Sequence, residues 1–450
     1  MSTISPQRRG EVLSALRRGT VPQHSLGDLA VGLQPFEATL EDELGQVERG
    51  AAHFKAVRGE YGSGKTFLAR WFQESARRRG FATSEVQVSE TETPLHRLET
   101  VYRRLIERLA TAESLQGSLR LIVDGWFYTL ENDVISKGEA DEDDAEALHA
   151  ATAALMEHRL AAVTRTAPAL AAGLRGYREA LLEGDAATAE GLLAWMSGQP
   201  TVGASVKRQA GLTGKIDHFG ALSFLQGWLV ILRDSGYKGL VLVLDEVETL
   251  QRVRSDVRDK GLNALRQLLD EVDGGRFPGL YLMITGTPAF FDGPQGIQRL
   301  APLAQRLQVD FSADARFDNP RAVQIRLRNF DLERLVELAK RVRDLYASHC
   351  AHQERLHDLA DDRYLEELAR AIVGELGGKV GIAPRIFLRK LVTEVLDRID
   401  QFDDFDPRQH YSLTVSTTEL TVQERAASGR LLGDEGDGPE RSVDDIDLDL

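Results

Sequence analysis

Residues 53–72, HFKAVRGEYGSGKTFLARWF, decide the fold class of this chain. The segment begins as a short strand, HFKAVRG, and passes through a glycine-rich turn into a helix whose large apolar residues share one face. At its centre, Gly59–Thr66 reads GEYGSGKT and fits the pattern G-x-x-x-x-G-K-[ST]. A strand, this loop and a helix in succession predict a phosphate-binding loop, against the alternative of a flexible turn that matches by chance.

The residue types of this loop indicate its chemistry. Glycines let backbone N–H groups converge on phosphate oxygens because no Cβ obstructs them. The helix that begins near Lys65 points its positive end at the anion. We expect Lys65 to neutralise β- and γ-phosphate charge and the Thr66 hydroxyl to bind Mg²⁺. The predicted nucleotide-binding residues of the loop are Gly59, Glu60, Tyr61, Gly62, Ser63, Gly64, Lys65 and Thr66.

A second motif, LVLVLDE at residues 240–246, is an apolar strand that ends in two acids. At the carboxyl edge of a sheet, beside the phosphate-binding loop, Asp245 is expected to hold Mg²⁺ through water. Glu246 is expected to orient and deprotonate the water that attacks the γ-phosphate. The alternative is that both acids cap the helix that follows.

Four further residues are weaker candidates. Thr285 and Thr287 end the strand in MITGTP, residues 283–288, where a polar side chain can bridge the γ-phosphate and the attacking water; an ordinary turn is the alternative. Arg306 precedes a predicted strand, and Arg385 begins a predicted helix. Either arginine can stabilise phosphate charge or belong to a surface ion pair.

The order of predicted elements indicates an α/β fold. Runs such as VLVL and YLMI lack polar alternation, as in central strands of a parallel sheet that is covered on both faces. LQVDF, ending near Phe311, is predicted to be the last strand. Residues from about 115 to 215 are predicted to form a helical insertion in a P-loop NTPase sheet, and the chain beyond residue 313 an all-α lid.

These patterns predict four segments. Residues 1–48 hold N-terminal helices and a linker, and residues 49–312 form the P-loop ATPase domain with its insertion. Residues 313–405 form the helical lid domain, and 406–450 form an acidic, disordered tail.

Composition excludes several classes of protein. The 450 residues carry 55 Lys and Arg against 70 Asp and Glu, a net charge of -15. Residues 131–146 and 434–450 each contain eight acids and one basic residue, so the rest of the chain is nearly neutral. A globally basic nucleic-acid binder is disfavoured, whereas a local basic groove is not. A single cysteine excludes an intrachain disulfide. The chain has neither a bilayer-spanning apolar run nor a signal-peptide pattern, so we expect a cytoplasmic protein that does not contact membranes.

The ordered motifs resemble the Walker A and Walker B motifs, first sensor, arginine finger and lid of AAA+ ATPases, in particular the origin-recognition-like branch. Longer phrases are similar to the BrxD family of ATP-binding proteins in BREX phage-resistance systems, over most of residues 1–400. They are TVPQHSLGDLAVG (20–32), VRGEYGSGKTFLARWF (57–72), SETETPLHRLETVYRRLIERL (89–109) and LDEVETLQRVR (244–254).

The resemblance implies roles and partners. It makes Lys65 and Thr66 ligands of ATP and Mg²⁺, and Asp245 and Glu246 the hydrolytic pair. Thr285 becomes the first sensor, Arg306 the arginine finger and Arg385 the second sensor, and residues 21–26 lie where such proteins hold adenine. The resemblance also implies a role in bacterial antiphage defence. It implies other BREX components as partners, such as a helicase, a methyltransferase and a phosphatase-like protein.

Two functional hypotheses stay open at this point. The first is an ATP-hydrolysing enzyme that remodels a partner or loads it on DNA. The second is an interaction switch or scaffold, in which ATP binding rather than turnover controls assembly. The sequence leaves open whether the protein contacts DNA directly and whether it forms a homo-oligomer.

Overall fold

Five parallel strands form the central sheet of the protein. The computed structural model describes residues 5–348, 350–375 and 383–414. The strands are β1 (His53–Arg58), β2 (Ala82–Gln87), β3 (Leu240–Asp245), β4 (Leu280–Gly286) and β5 (Gln324–Arg326). Their order across the sheet is β2-β3-β4-β1-β5, and every neighbouring pair is parallel. The predicted α/β class with a parallel sheet is confirmed.

Helices account for most of the described residues. In chain order they are α1 (Pro6–Arg17), α2 (Leu26–Leu29), α3 (Gln34–Glu48), α4 (Lys65–Arg78), α5 (Leu98–Glu107), α6 (Leu119–Ser136), α7 (Ala145–Thr166), α8 (Pro168–Leu182), α9 (Ala186–Met196), α10 (Ala204–Gln209), α11 (His218–Asp234), α12 (Ser255–Asp273), α13 (Pro288–Asp292), α14 (Ala301–Arg306), α15 (Leu332–Ala347), α16 (Gln353–Leu359), α17 (Asp362–Glu375), α18 (Ala383–Lys390), α19 (Asp397–Gln401) and α20 (Pro407–His410). A π-helical turn, Leu391–Leu396, joins α18 to α19. Short 3-10 turns follow β3 and flank α14.

The two faces of the sheet pack against different helices because side chains alternate along a strand. Val241 and Val243 of β3 face a cluster that includes apolar residues of α3 and α4. Leu240, Leu242 and Leu244 face the opposite cluster, with apolar residues of α5, α11 and α12. Burial of both faces explains why these strands read as continuous apolar runs.

A buried polar network ties α3 to the sheet. Lys55 of β1 is 2% exposed, and its Nζ donates a 2.7 Å hydrogen bond to Glu43 Oε1. Tyr281 of β4 donates a 2.6 Å hydrogen bond to the other carboxylate oxygen of Glu43. The ammonium therefore has a charged partner in the core, as buried charges require.

The last strand of the sheet does not lie where the sequence pattern placed it. LQVDF, residues 307–311, is not a strand; β5 is formed by residues 324–326 and pairs with β1. Gln324 fixes this register, because its amide donates to the Leu307 carbonyl at 2.7 Å and accepts from Arg58 at 3.1 Å. A three-residue strand is too short for alternation to identify, whereas residues 307–311 alternate apolar and polar side chains as a strand does but do not pair with the sheet.

The predicted insertion between β2 and β3 is helical, as expected, and shares its core with the sheet. Apolar residues of α6 to α9 belong to the same buried cluster as α11 and β3. Trp126 of α6 donates a 2.7 Å hydrogen bond to Asp234 at the end of α11. Arg159 of α7 bonds both Asp133 and Asp234. The insertion is therefore anchored to the helix that leads into β3.

The chain divides into two compact units. One comprises residues 21–328, and the other joins residues 5–20 to the described residues from 329 onward. In the second unit, Arg17 of α1 makes two hydrogen bonds of 2.7 and 2.8 Å to Asp397 of α19. The chain beyond residue 313, predicted to be all-α, contains strand β5, which forms by pairing with β1. From residue 332 onward the described residues form helices and their connections, whereas the role of these helices as a lid and the four domain limits stay predictions. The acidic tail predicted from 406 contains α20, and its remainder from 415 lies outside the described residues.

Candidate nucleotide-binding site

The loop between β1 and α4 has the shape of an anion cradle. Gly62 and Gly64 have φ values of 79° and 92°, a left-handed conformation that glycine adopts without strain. Gly59 approaches Ser63 so closely that an added Cβ would lie 2.3 Å from its Oγ. That hydroxyl is buried and has no hydrogen-bonding partner among the described residues. A cradle that excludes a Cβ and contains an unsatisfied hydroxyl fits a phosphate group.

Lys65 lies at the first position of α4 and turns its ammonium into the loop. The side chain is 8% exposed, and Nζ donates hydrogen bonds to the carbonyls of Gly59 at 2.8 Å and Glu60 at 3.1 Å. Nζ also lies 5.3 Å from the centroid of the Tyr61 ring. Burial lowers the pKa of Lys65, and nearby carboxylates, led by Glu248, oppose that effect. A desolvated ammonium inside the loop is placed to meet phosphate oxygens.

Asp245 and Thr66 meet at the carboxyl edge of the sheet. Asp245 is the last residue of β3 and is 4% exposed. The Thr66 hydroxyl donates a 2.9 Å hydrogen bond to Asp245 Oδ2. Burial raises the pKa of Asp245, while hydrogen bonds from Thr285 and Thr66 lower it. An adjacent hydroxyl and carboxylate are the oxygen donors that Mg²⁺ prefers, so the residues present fit that ion.

Thr285 connects Asp245 to Glu246. It is the penultimate residue of β4, which lies between β1 and β3, and its side chain is fully buried. The Thr285 hydroxyl donates to Asp245 Oδ1 and accepts a 3.1 Å hydrogen bond from the backbone N–H of Glu246. Sheet order therefore brings together three residues that are separated by up to 219 positions in the sequence, from Thr66 to Thr285.

Glu246 adopts a backbone conformation that is uncommon for its type. Its φ is 59° and its ψ is 44°, in the left-handed region, and a 3-10 turn, Val247–Gln251, follows it. Its side chain makes no capping hydrogen bond to that turn, which disfavours capping as the role of this acid. Strained conformations of this kind concentrate at functional sites.

Sequence reasoning missed Glu248. This residue lies in the 3-10 turn, is 3% exposed, and neither carboxylate oxygen accepts a hydrogen bond from another described residue. Burial raises its pKa to about 7, although the nearby Lys65 ammonium acts in the opposite direction. The available signal was a third acid in LDEVETL, but spacing alone does not distinguish a buried acid from a solvated one.

The predicted adenine-side linker lies against α4. The Val21 carbonyl accepts a 2.9 Å hydrogen bond from Arg70, and the backbone N–H groups of Ser25 and Leu26 donate to Glu74 at 2.8 and 2.9 Å. Arg70 and Glu74 both belong to the helix that follows the phosphate-binding loop. The linker is thus attached to the element that carries Lys65.

The two arginine candidates have contacts of their own. Arg306 ends α14, and its guanidinium lies 2.7 Å from the carboxylates of Asp270 and Asp273 on α12. Arg385 belongs to α18 in the second unit, where its side chain packs beside Gly19. The roles of Arg306 as arginine finger and of Arg385 as second sensor stay predictions.

Comparison with models of protein families shows which family the chain belongs to. A family model described as BREX system ATP-binding protein BrxC/D matches residues 4–415. The chain belongs to this family. The resemblance drawn from the sequence phrases is confirmed, and membership in a BREX system implies that other components of that system are partners. No curated protein matches the chain significantly.

The helices of the described residues lack the character of membrane spans. None of them combines the length and the apolar character needed to cross a bilayer.

Proposed function

We propose that this protein is a Mg²⁺-dependent ATPase of the BREX system, which converts ATP to ADP and phosphate and uses turnover to remodel a protein or DNA partner. The observation that carries the proposal is Asp245, which accepts hydrogen bonds from Thr66 of the phosphate-binding loop and from Thr285 near the end of β4. Loop, acid and sensor candidate thus form one connected group.

Each residue has a distinct part in the proposed reaction. Backbone N–H groups of the loop and the N-terminus of α4 bind the phosphates, and Lys65 neutralises their charge. Thr66 directly and Asp245 through water would hold Mg²⁺, which would stabilise charge on the β- and γ-phosphates when bound. Glu246 accepts the proton of the attacking water, and Thr285 fixes the backbone N–H of Glu246.

Two variants test this proposal. Lys65→Ala is expected to lose ATP binding, because no other lysine or arginine is seen to donate to the loop carbonyls in the described structure. Glu246→Gln is expected to retain ATP and lose turnover. Lys137→Ala, a change at an exposed position, is the matched control and is expected to behave as wild type. Titration of a fluorescent ATP analogue and release of phosphate measure the two properties separately. If the wild type shows no ATP turnover, either alone or with DNA or BREX components, the proposed ATPase activity is refuted.

Assembly is a separate part of the proposal. If Arg306 acts on the nucleotide of a neighbouring copy, it must leave Asp270 and Asp273, each 2.7 Å away. Specific activity should then rise with protein concentration in the wild type and stay low and flat in Arg306→Ala. Arg385→Ala tests the second sensor in the same assay. We also propose that the protein acts in the cytoplasm.

A nucleotide-gated switch is the second candidate function. It is favoured by the hydrogen-bonded chain from Thr66 through Asp245 and Thr285 to Glu246, which couples the loop to the ends of two strands. In this case Glu246→Gln locks a partner complex instead of abolishing function. Affinity purification with ATP, ADP and no nucleotide distinguishes the two, because identical partners in all three conditions contradict a switch.

A further inference from the structure

An unpaired acid is buried in the candidate site. Glu248 is 3% exposed, and the structure gives both of its carboxylate oxygens no hydrogen-bonding partner from another described residue. Buried carboxylates are normally paired, since leaving such a group unsatisfied costs free energy of folding. The described residues provide no hydrogen bond that would explain the burial of this carboxylate. The explanation must therefore involve the groups around it.

The groups near Glu248 belong to the phosphate-binding loop. Among the acids that interact with the Lys65 ammonium, Glu248 has the largest effect, ahead of Asp245 and Glu246. Glu248 is also the carboxylate that acts most strongly on the Tyr61 hydroxyl. It therefore lies close to the loop, in the 3-10 turn that follows β3.

Lys65 does not satisfy this acid. The hydrogen bonds of Nζ go to the carbonyls of Gly59 and Glu60, and no ion pair joins Lys65 to Glu248 within 4.0 Å in the described structure. The carboxylate thus keeps its accepting capacity for a group that arrives with the nucleotide. Water is the donor that hydrolysis brings to this place, whereas phosphate oxygens of ATP are acceptors.

We infer that Glu248 is a second catalytic carboxylate, which together with Glu246 contacts the attacking water and accepts its proton. This inference rests on the proposed ATPase function. The water oxygen forms a bond to the γ-phosphorus, and the bond from that phosphorus to the β–γ bridging oxygen breaks, leaving its electron pair on ADP. The water proton passes to a carboxylate oxygen of the pair and then to the released phosphate or to solvent.

The geometry gives the two acids different positions around the water. Glu246 precedes the turn and has a half-buried side chain. Its backbone N–H donates a hydrogen bond to the Thr285 hydroxyl, which fixes its position. Glu248 lies two residues later, is more deeply buried, and acts more strongly on Lys65. In a buried, low-dielectric position, a carboxylate interacts more strongly with the proton that leaves the attacking water.

Glu248→Gln is the direct test, with ATP affinity and turnover measured separately. A general base contributes about 10²- to 10⁴-fold, so we expect kcat to fall roughly 10-fold or more while KM and the affinity for the fluorescent ATP analogue change less than about threefold. Glu248→Asp keeps a carboxylate on a shorter arm and should recover part of kcat. Glu271→Gln on α12, away from the loop, is the matched control.

A second measurement separates catalysis from a structural role. If Glu246 and Glu248 act on one water, the double Gln variant should be no slower than the worse single variant, because groups that act as a unit are not additive. Should the Gln variant fail to fold, Glu248→Met supplies the same test; removing an unpaired buried acid should leave thermal stability equal or higher.

Three outcomes decide the matter. Loss of kcat with unchanged ATP affinity and partial recovery in Glu248→Asp supports the inference. A kcat within twofold of wild type in Glu248→Gln overturns it and leaves the proposed ATPase intact. A wild type that binds ATP without turning it over overturns both.

Discussion

The buried carboxyl of Glu248 should make the stability of the unit of residues 21–328 depend on pH, and Glu248→Gln should remove that dependence. Burial raises the pKa of this acid from the ordinary 4.5 to about 7. The folded protein therefore binds the proton more tightly than the unfolded chain. The contribution is favourable while the acid is protonated, and stability falls as pH rises from 4.5 towards 7.

The size of the effect follows from the two pKa values. One pKa unit corresponds to about 1.4 kcal/mol, so the separation between 4.5 and about 7 amounts to roughly 3 kcal/mol over the whole titration. Between pH 5.5 and pH 8, the linkage relation predicts that the contribution of Glu248 to the free energy of unfolding falls by about 2 kcal/mol. The buried amide of the Gln variant adds a cost that does not vary with pH, and it cancels when two pH values are compared.

Tryptophan fluorescence is suited to this measurement. All four tryptophans, Trp71, Trp126, Trp195 and Trp228, lie within residues 21–328, so their signal follows the unfolding of this unit. Urea titrations of wild type and variant at pH 5.5, 6, 7 and 8, without nucleotide or Mg²⁺, give the free energies of unfolding. The advantage of Glu248→Gln over wild type should grow by about 2 kcal/mol across this range.

Glu271→Gln is the control and should show no such growth, because its pairing with Arg276 lies near the surface. The reasoning is refuted if the free-energy difference between Glu248→Gln and wild type stays constant within about 0.5 kcal/mol, a resolution typical of such comparisons. A difference that shrinks as pH rises would refute it more strongly, since it would mean that the folded state prefers the ionised acid.

Variants at three other positions test the site and its support. Gly59→Ala should weaken ATP binding at least 10-fold, because its Cβ would lie 2.3 Å from Ser63 Oγ; nucleotide titration measures this, and unchanged affinity would contradict the cradle. Thr285→Val should destabilise the fold by about 1–3 kcal/mol and slow phosphate release, because it leaves Asp245 without this hydroxyl donor. Thr285→Ser keeps the hydroxyl, so its stability and its rate of phosphate release should stay near those of the wild type. Glu43→Gln should cost about 3–5 kcal/mol in urea unfolding because it leaves a buried ammonium without its charge partner. A loss below 1 kcal/mol would argue against that pairing.

Local patterns predicted the elements that carry the loop and the first acid. β1, the loop and α4 lie where GEYGSGKT and its flanks placed them, and β3 ends at Asp245 as LVLVLDE indicated. These predictions hold because the backbone conformation of a glycine-rich turn and the burial of a long apolar strand are set by neighbouring residues. The β5 prediction failed for the converse reason: a three-residue strand depends on its pairing with β1 and not on its own pattern.

Sequence alone determined the α/β class and the strand–loop–helix segment that carries the candidate phosphate-binding loop, and it predicted the roles of Lys65, Thr66, Asp245 and Glu246. The tertiary structure decided that Thr285 bonds both Asp245 and the Glu246 backbone, and that Glu248 is buried without a partner. It also decided that residues 5–20 join the C-terminal helices. Each of these depends on residues far apart in the chain. The sheet order brings the site residues together, whereas packing of helices brings residues 5–20 to the C-terminal helices, so neither can be read from local sequence.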